Sequence, residues 1–121
     1  MDLTPTVLDL AGLPVPDAMQ GHSMAGWCLN GSGVQNDAVY LGLGGPTRKR
    51  GWRAVWDGRY VFSPFRHNIL YDHQEDPHEM YNRIEDPDYA VVRKRLADRL
   101  VHFSETTRDP MAAAVRDACR I

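Results

Sequence analysis

The sequence predicts an α+β fold: a four-stranded antiparallel sheet packed against a C-terminal helix, preceded by a short helix and a long loop. Three observations carry that expectation. Asp57-Gly58 separates two runs rich in aromatic and β-branched residues, WRAVW and RYVFS, and two further runs, AVYLGL at 38–43 and NILYD at 68–72, flank them. Tyr89, Val92, Leu96, Leu100 and Phe103 recur at helical spacing near the C-terminus. Ahead of the strands, residues 12–37 are rich in Gly, Pro, Ser and Asn and show no sustained period.

The short helix has its own start and stop signals. Thr4 is placed as N-cap, Pro5 at the first helical position, Leu3 and Leu8 as a hydrophobic staple, and Gly12 as the residue just past the end, before Pro14. Helices this short are marginal alone in water, so Leu3, Val7, Leu8, Leu10 and Ala11 call for a packing partner. In the loop that follows, residues 23–29 can form one turn of helix with Met24, Trp27 and Cys28 turned inward. A loop of this length is either functional or lies on a larger body.

The strands centre on the Asp57-Gly58 turn. A type I′ turn needs positive φ at both central residues, which Asp-Gly tolerates, and a two-residue turn fixes the register. Arg53, Val55, Tyr60 and Phe62 then share one face, and Trp52, Ala54, Trp56, Arg59 and Val61 the other. Both faces carry aromatics, so the sheet is either covered twice or leaves apolar surface open. Residues 73–88 are strongly acidic and aperiodic and read as an ordered loop. Asp86-Pro87 starts the long helix, with Arg93, Lys94, Arg95, Asp98 and Arg99 on its outer side, and Asp109-Pro110 starts a short Ala-rich helix ending near Cys119.

Composition narrows the function. The 121 residues suit one unit that can bury about two-thirds of its unfolded surface. Fourteen Lys and Arg against sixteen Asp and Glu give a net charge of −2, which disfavours nonspecific nucleic-acid binding. Apolar runs are only a few residues long, so no membrane span is expected. The N-terminus lacks a basic stretch and carries Asp2 and Asp9, unlike a secretory signal. Cys28 and Cys119 form no CxxC, and both read as free thiols; with the missing signal they favour the cytoplasm.

Few residues invite chemistry. Cys28 has no neighbouring cation or helix N-terminus to lower its pKa, and Cys119, near the C-terminus, is a weaker candidate still. Asp72, His73, Asp76, His78 and Glu79 gather metal-capable groups, yet lack HExxH spacing and the central Gly of a calcium loop; capping of nearby backbone amides explains them better. Arg48, Lys49, Arg50 and Arg53 crowd beside Gly44, Gly45 and Gly51, where backbone amides can approach a sulfate, phosphate or carboxylate, or the loop is merely solvated. No nucleotide-binding glycine motif is present. Trp52, Trp56, Tyr60, Phe62 and Tyr71 could form a stacking platform, and core packing is the better reading of them.

DLTPTVLDLAGLPVPDAMQGHS at 2–23, RAVWDGRYVF at 53–62 and ILYDHQEDPHEMYN at 69–82 resemble, in that order, the C-terminal part of the sulfatase family, formylglycine-dependent sulfuric ester hydrolases related to alkaline phosphatase. The resemblance covers about residues 2–109. It implies that residues 1–36 form the end of a catalytic domain and 37–121 a C-terminal subdomain, with Leu70, Tyr71, Asp72, Asp76, Pro77 and Glu79 matching a family turn. It also implies what is absent: the family nucleophile lies in Cys/Ser-x-Pro-x-Arg, which neither Cys28-Leu29-Asn30-Gly31-Ser32 nor Cys119-Arg120-Ile121 matches. No catalytic residue, metal ligand or cofactor is therefore expected here, whereas the intact enzyme would use formylglycine and a divalent metal such as calcium. The family's basic hairpin positions hold Trp56 and Val61 instead, and His73 stands where Leu is frequent. The expected role is structural, at the rim of a substrate pocket, with Arg48, Lys49 and Arg50 as anion contacts and a missing N-terminal catalytic domain as partner. A stand-alone module that binds a partner or self-associates through an apolar face, made by the first helix and one sheet face, is the alternative.

Overall fold

The computed structural model describes residues 2–33, 36–44, 51–65 and 67–120. The chain divides into two compact units, Met1–Asn36 and Asp37–Ile121.

In the first unit, α1 (Leu3–Leu10) and α2 (Ala25–Asn30) are held by polar bonds more than by apolar packing. The α1 N-cap is Asp2 rather than Thr4, and its carboxylate leaves the helix amides alone: it accepts from the His22 amide at 3.0 Å and from Asn36 Nδ2 at 2.6 Å. Thr6 bonds the Asp2 carbonyl and accepts from the Met24 amide at 2.9 Å; Ser23 donates to Asp9 and accepts from the Ala25 amide. These bonds select Pro5, Thr6 and Ala25 for burial and leave Leu3, Val7 and Leu10 exposed, Leu3 to 78%. The expected staple cannot form, because Leu3 is already the first helical residue. The stop is as the sequence specifies: Gly12 takes φ 70°, its amide bonds the Asp9 carbonyl, and the Leu13 amide bonds the Leu8 carbonyl, a Schellman closure. Residues Trp27 and Cys28 of α2 face solvent, contrary to the inward placement expected of them, since a six-residue helix with one buried residue offers no interior for them.

In the second unit, β1 (Val39–Leu43), β2 (Trp52–Trp56), β3 (Tyr60–Ser63) and β4 (Ile69–Asp72) form an antiparallel meander in sequence order. The central turn sits one residue later than Asp57-Gly58. Trp56 pairs with Val61, the Asp57 amide bonds the Tyr60 carbonyl at 3.1 Å, and Gly58 and Arg59 are the central pair. Only Gly58 has positive φ, the pattern of a type II′ rather than a type I′ turn. Asp57 causes the shift: its Oδ1 accepts from the Arg59 and Tyr60 amides, and its Oδ2 pairs with Arg95 at 2.7 Å. The register moves by two residues, an even number, so every side chain stays on its assigned face.

One face carries Val55, Phe62 and Leu70, all fully buried against Leu96 and Leu100 of α3 (Ala90–Thr106) and Val115 of α4 (Ala112–Ala118). Asp86 accepts from the Asp88 amide and Pro87 opens a 3-10 turn (Pro87–Tyr89) that leads into α3. On the opposite face Val39, Leu41, Leu43 and Trp56 are exposed. The hairpin aromatics therefore split: Phe62 is core, whereas Trp56 is not, because among the described residues of the second unit the helices pack on one side of the sheet.

The acidic loop caps amides. Asp72 accepts from the Gln74 amide and from Nε and Nη2 of Arg59, Asp76 from the Tyr81 amide, and Asn82 Oδ1 from the amides of Leu70 and Ile84. The Arg59 guanidinium holds the Asp72 carboxyl below its usual range against the upward push of burial; at Asp57 burial also pushes upward and the amides and Arg95 outweigh it. Folded-state pKa values below the unfolded ones mean stability that is complete above the unfolded carboxylate value and is lost as pH falls through the folded one. Thermal melts are expected to hold steady from pH 7 to about 5 and to drop steeply below pH 4; a melting temperature unchanged at pH 3 would contradict these bonds.

Candidate functional site

The sequence candidates Arg48, Lys49 and Arg50 lie outside the described residues. Both ends of the segment that carries them are described, and they meet at Arg53.

Arg53 stands on the helix-facing side of β2 and is 6% exposed. Its Nε lies 2.6 Å from Asp109 Oδ2 and its Nη2 3.0 Å from Oδ1, a bidentate pair. Its Nη1 donates to the carbonyls of Leu43, Gly44 and Trp52 at 3.3, 3.0 and 2.9 Å. One guanidinium thus ties the end of β1 and the start of β2 to the α3–α4 junction. Asp109 also accepts from the Tyr40 hydroxyl at 3.0 Å and from the Met111 amide at 2.7 Å, which holds the start of α4. Gly42 is required beside it, since a Cβ there would stand 2.9 Å from Arg53 Cδ. Burial pushes the Asp109 carboxyl up, and Arg53, the Met111 amide and Tyr40 outweigh it, so it sits below the usual carboxylate range. Burial first, then the bond to Asp109, pushes the Tyr40 hydroxyl up to about 12.

Arg53 is therefore no anion contact, although its place among the basic residues suggested one: Asp109 and the three carbonyls engage its guanidinium. Sequence reading missed the pairing because the partners are 56 positions apart. The one hint was Asp109-Pro110, which reads as a helix start and says nothing of a cation.

The other candidates part company. His73 Nε2 pairs with Glu79 at 2.8 Å, while Asp72 and Asp76 are engaged with Arg59 and backbone amides. Among the described residues no three His, Cys, Asp or Glu side chains converge as a metal centre. Cys28 is exposed, and Cys119 is half-buried, with burial pushing its thiol up to about 11, away from thiolate chemistry. Tyr60 lies between Arg59 and Arg95, whose guanidinium carbons are 4.8 and 5.8 Å from its ring centre, and so it braces the β2–β3 turn against α3 rather than offering a stacking surface.

A family model described as N-sulphoglucosamine sulphohydrolase, C-terminal, matches residues 1–106. The uncharacterized sulfatase YidJ of Escherichia coli (strain K12) is 30% identical over 118 residues, covering 91% of this chain and 23% of its own length. An uncharacterized protein of Haemophilus influenzae (strain ATCC 51907 / DSM 11121 / KW20 / Rd) is 31% identical over 113 residues, covering 91% of this chain and 58% of its own. Among solved structures, a 2-O GAG sulfatase is similar with a TM-score of 0.76 at 27% identity, over 93% of this chain and 26% of that one. The chain thus spans less than two-thirds of each of these relatives.

Proposed function

The chain belongs to the sulfatase family, of which it is the C-terminal part, and we propose that it serves as the non-catalytic subdomain of a sulfuric ester hydrolase. Residues 37–121 are the subdomain proper in this reading, and residues 1–36 belong to the end of the catalytic domain. The partner is the N-terminal catalytic domain, whose pocket rim this chain completes. Sulfated sugars are the substrate class, supported by the family description and by the name of the GAG sulfatase.

The observation that carries the reading is the match over residues 1–106 to a C-terminal family part, joined to a buried Arg53 whose guanidinium is taken up by Asp109 and by the carbonyls of Leu43, Gly44 and Trp52. Formylglycine and a divalent metal supply the hydrated nucleophile and its activation in the intact enzymes of this family. The residues here do not fit either group: Cys28 and Cys119 lack the Pro and Arg that a formylglycine precursor needs, and the described acidic and histidine side chains do not converge. No step of hydrolysis is assigned to this chain.

Arg48, Lys49 and Arg50 are the anion contacts of the proposal. The test is calorimetric titration of the chain with sodium sulfate, beside a hydrolysis assay with an aryl sulfate and calcium. Sulfate binding that disappears in the triple variant Arg48→Ala, Lys49→Ala, Arg50→Ala, with no turnover above blank, is the expected result. Metal-dependent turnover by the chain alone would overturn the non-catalytic role, and binding unchanged in the triple variant would remove the three contacts.

A further inference from the structure

The two edges of the sheet are treated differently. Along β4 the outer edge is occupied: the Leu70 amide bonds Asn82 Oδ1 at 2.9 Å, and the Arg83 amide bonds the Leu70 carbonyl at 2.7 Å. Along β1, among the described residues, no backbone group outside β2 bonds to the strand. Edge strands left in this state normally carry a charge, a proline or a bulge that discourages pairing. β1 reads Val39-Tyr40-Leu41-Gly42-Leu43, has none of these, and pairs with β2 in unbroken register. Its open-face side chains Val39, Leu41 and Leu43 are 39, 36 and 60% exposed.

We propose that the chain forms a two-fold dimer in which β1 pairs antiparallel with β1 of a second copy, joining two four-stranded sheets into one of eight. The strand is suited to its own copy for two reasons. With Leu41 opposite Leu41, Val39 meets Leu43 at both ends, and the apolar side chains of both copies form one row on one face, next to Trp56. Neither β1 nor the open-face positions of β2 carry a formal charge, so like meets like without repulsion. A single five-residue strand buries less than the roughly 800 Å² per partner of a standard interface, so the dimer is a weak one whose formation depends on concentration. The inference stands on the sheet and is independent of the sulfatase reading.

Sedimentation equilibrium of the full chain from about 1 to 200 μM is the test, with far-UV circular dichroism to confirm that the variants fold. The wild type is expected to pass from monomer to dimer over that range. Leu41→Lys and Leu41→Glu each place two like charges directly opposite at the two-fold and are expected to raise the dissociation constant at least tenfold. An equimolar mixture of the two variants is expected to restore the dimer, because the charges then oppose. A wild type monomeric at 200 μM, or single variants that dimerise as well as the wild type, overturns the proposal. So does a mixture that stays monomeric while both variants are folded, since it assigns the association to another surface.

Discussion

Asp109→Ala is expected to remove about 3–5 kcal/mol of stability in urea denaturation, with Arg53 left buried and without its counter-charge. Three donors lose their acceptor at once: the bidentate guanidinium, the Tyr40 hydroxyl and the Met111 amide. Arg53 cannot readily swing into water, because its Nη1 is held by three carbonyls and its arm lies over Gly42. The double variant Arg53→Met, Asp109→Leu should be less costly than Asp109→Ala alone, since it buries no unpaired charge. A single-variant loss under about 1 kcal/mol would mean that Arg53 finds solvent and that the clamp is not the anchor described.

Phe62→Ala is expected to remove about 3–5 kcal/mol as well, through lost burial and the cavity left behind. Phe62 is wholly inaccessible to solvent and is packed with Val55 and Leu70 beneath Leu96 and Leu100. Leu43→Ala, on the open face and 60% exposed, is expected to change stability by no more than about 0.5 kcal/mol. The pair tests the face assignment: equal losses would mean that the open face is covered too. Against a total of about 6–18 kcal/mol for a chain of this size, either core variant takes a large share.

These sites were unequally legible from the residues. The strand faces could be read because side chains alternate with a period of two, and the observed slip of two residues leaves that parity intact. The turn itself was misplaced by one residue, since nothing local announces that the Asp57 carboxylate binds the two amides that follow it and Arg95 on a distant helix. Gly12 correctly marked the end of α1, because positive φ is a property of one residue. The start of α1 was misread, because Asp2 spends its carboxylate on His22 and Asn36, across a loop without periodicity. Leu96 and Leu100 followed from helical spacing, whereas Trp27 and Trp56 looked like core and are exposed: hydrophobicity identifies what can be buried, and only the second layer decides what is. The Arg53–Asp109 pair could not be read at all, since charge patterns along a chain do not carry information about its folded neighbours.

The central claim, that this chain completes a sulfatase, is tested most directly by complementation in trans. The Escherichia coli relative would be produced without the C-terminal part that this chain matches, and its sulfatase activity measured with and without the 121-residue chain. The account predicts activity near background for either component alone and a saturable rise as the chain is added, weakened when Asp109→Ala disturbs the clamp. Full activity of the truncated relative without the chain, or no rise together with no physical association at any concentration of a folded chain, would contradict it.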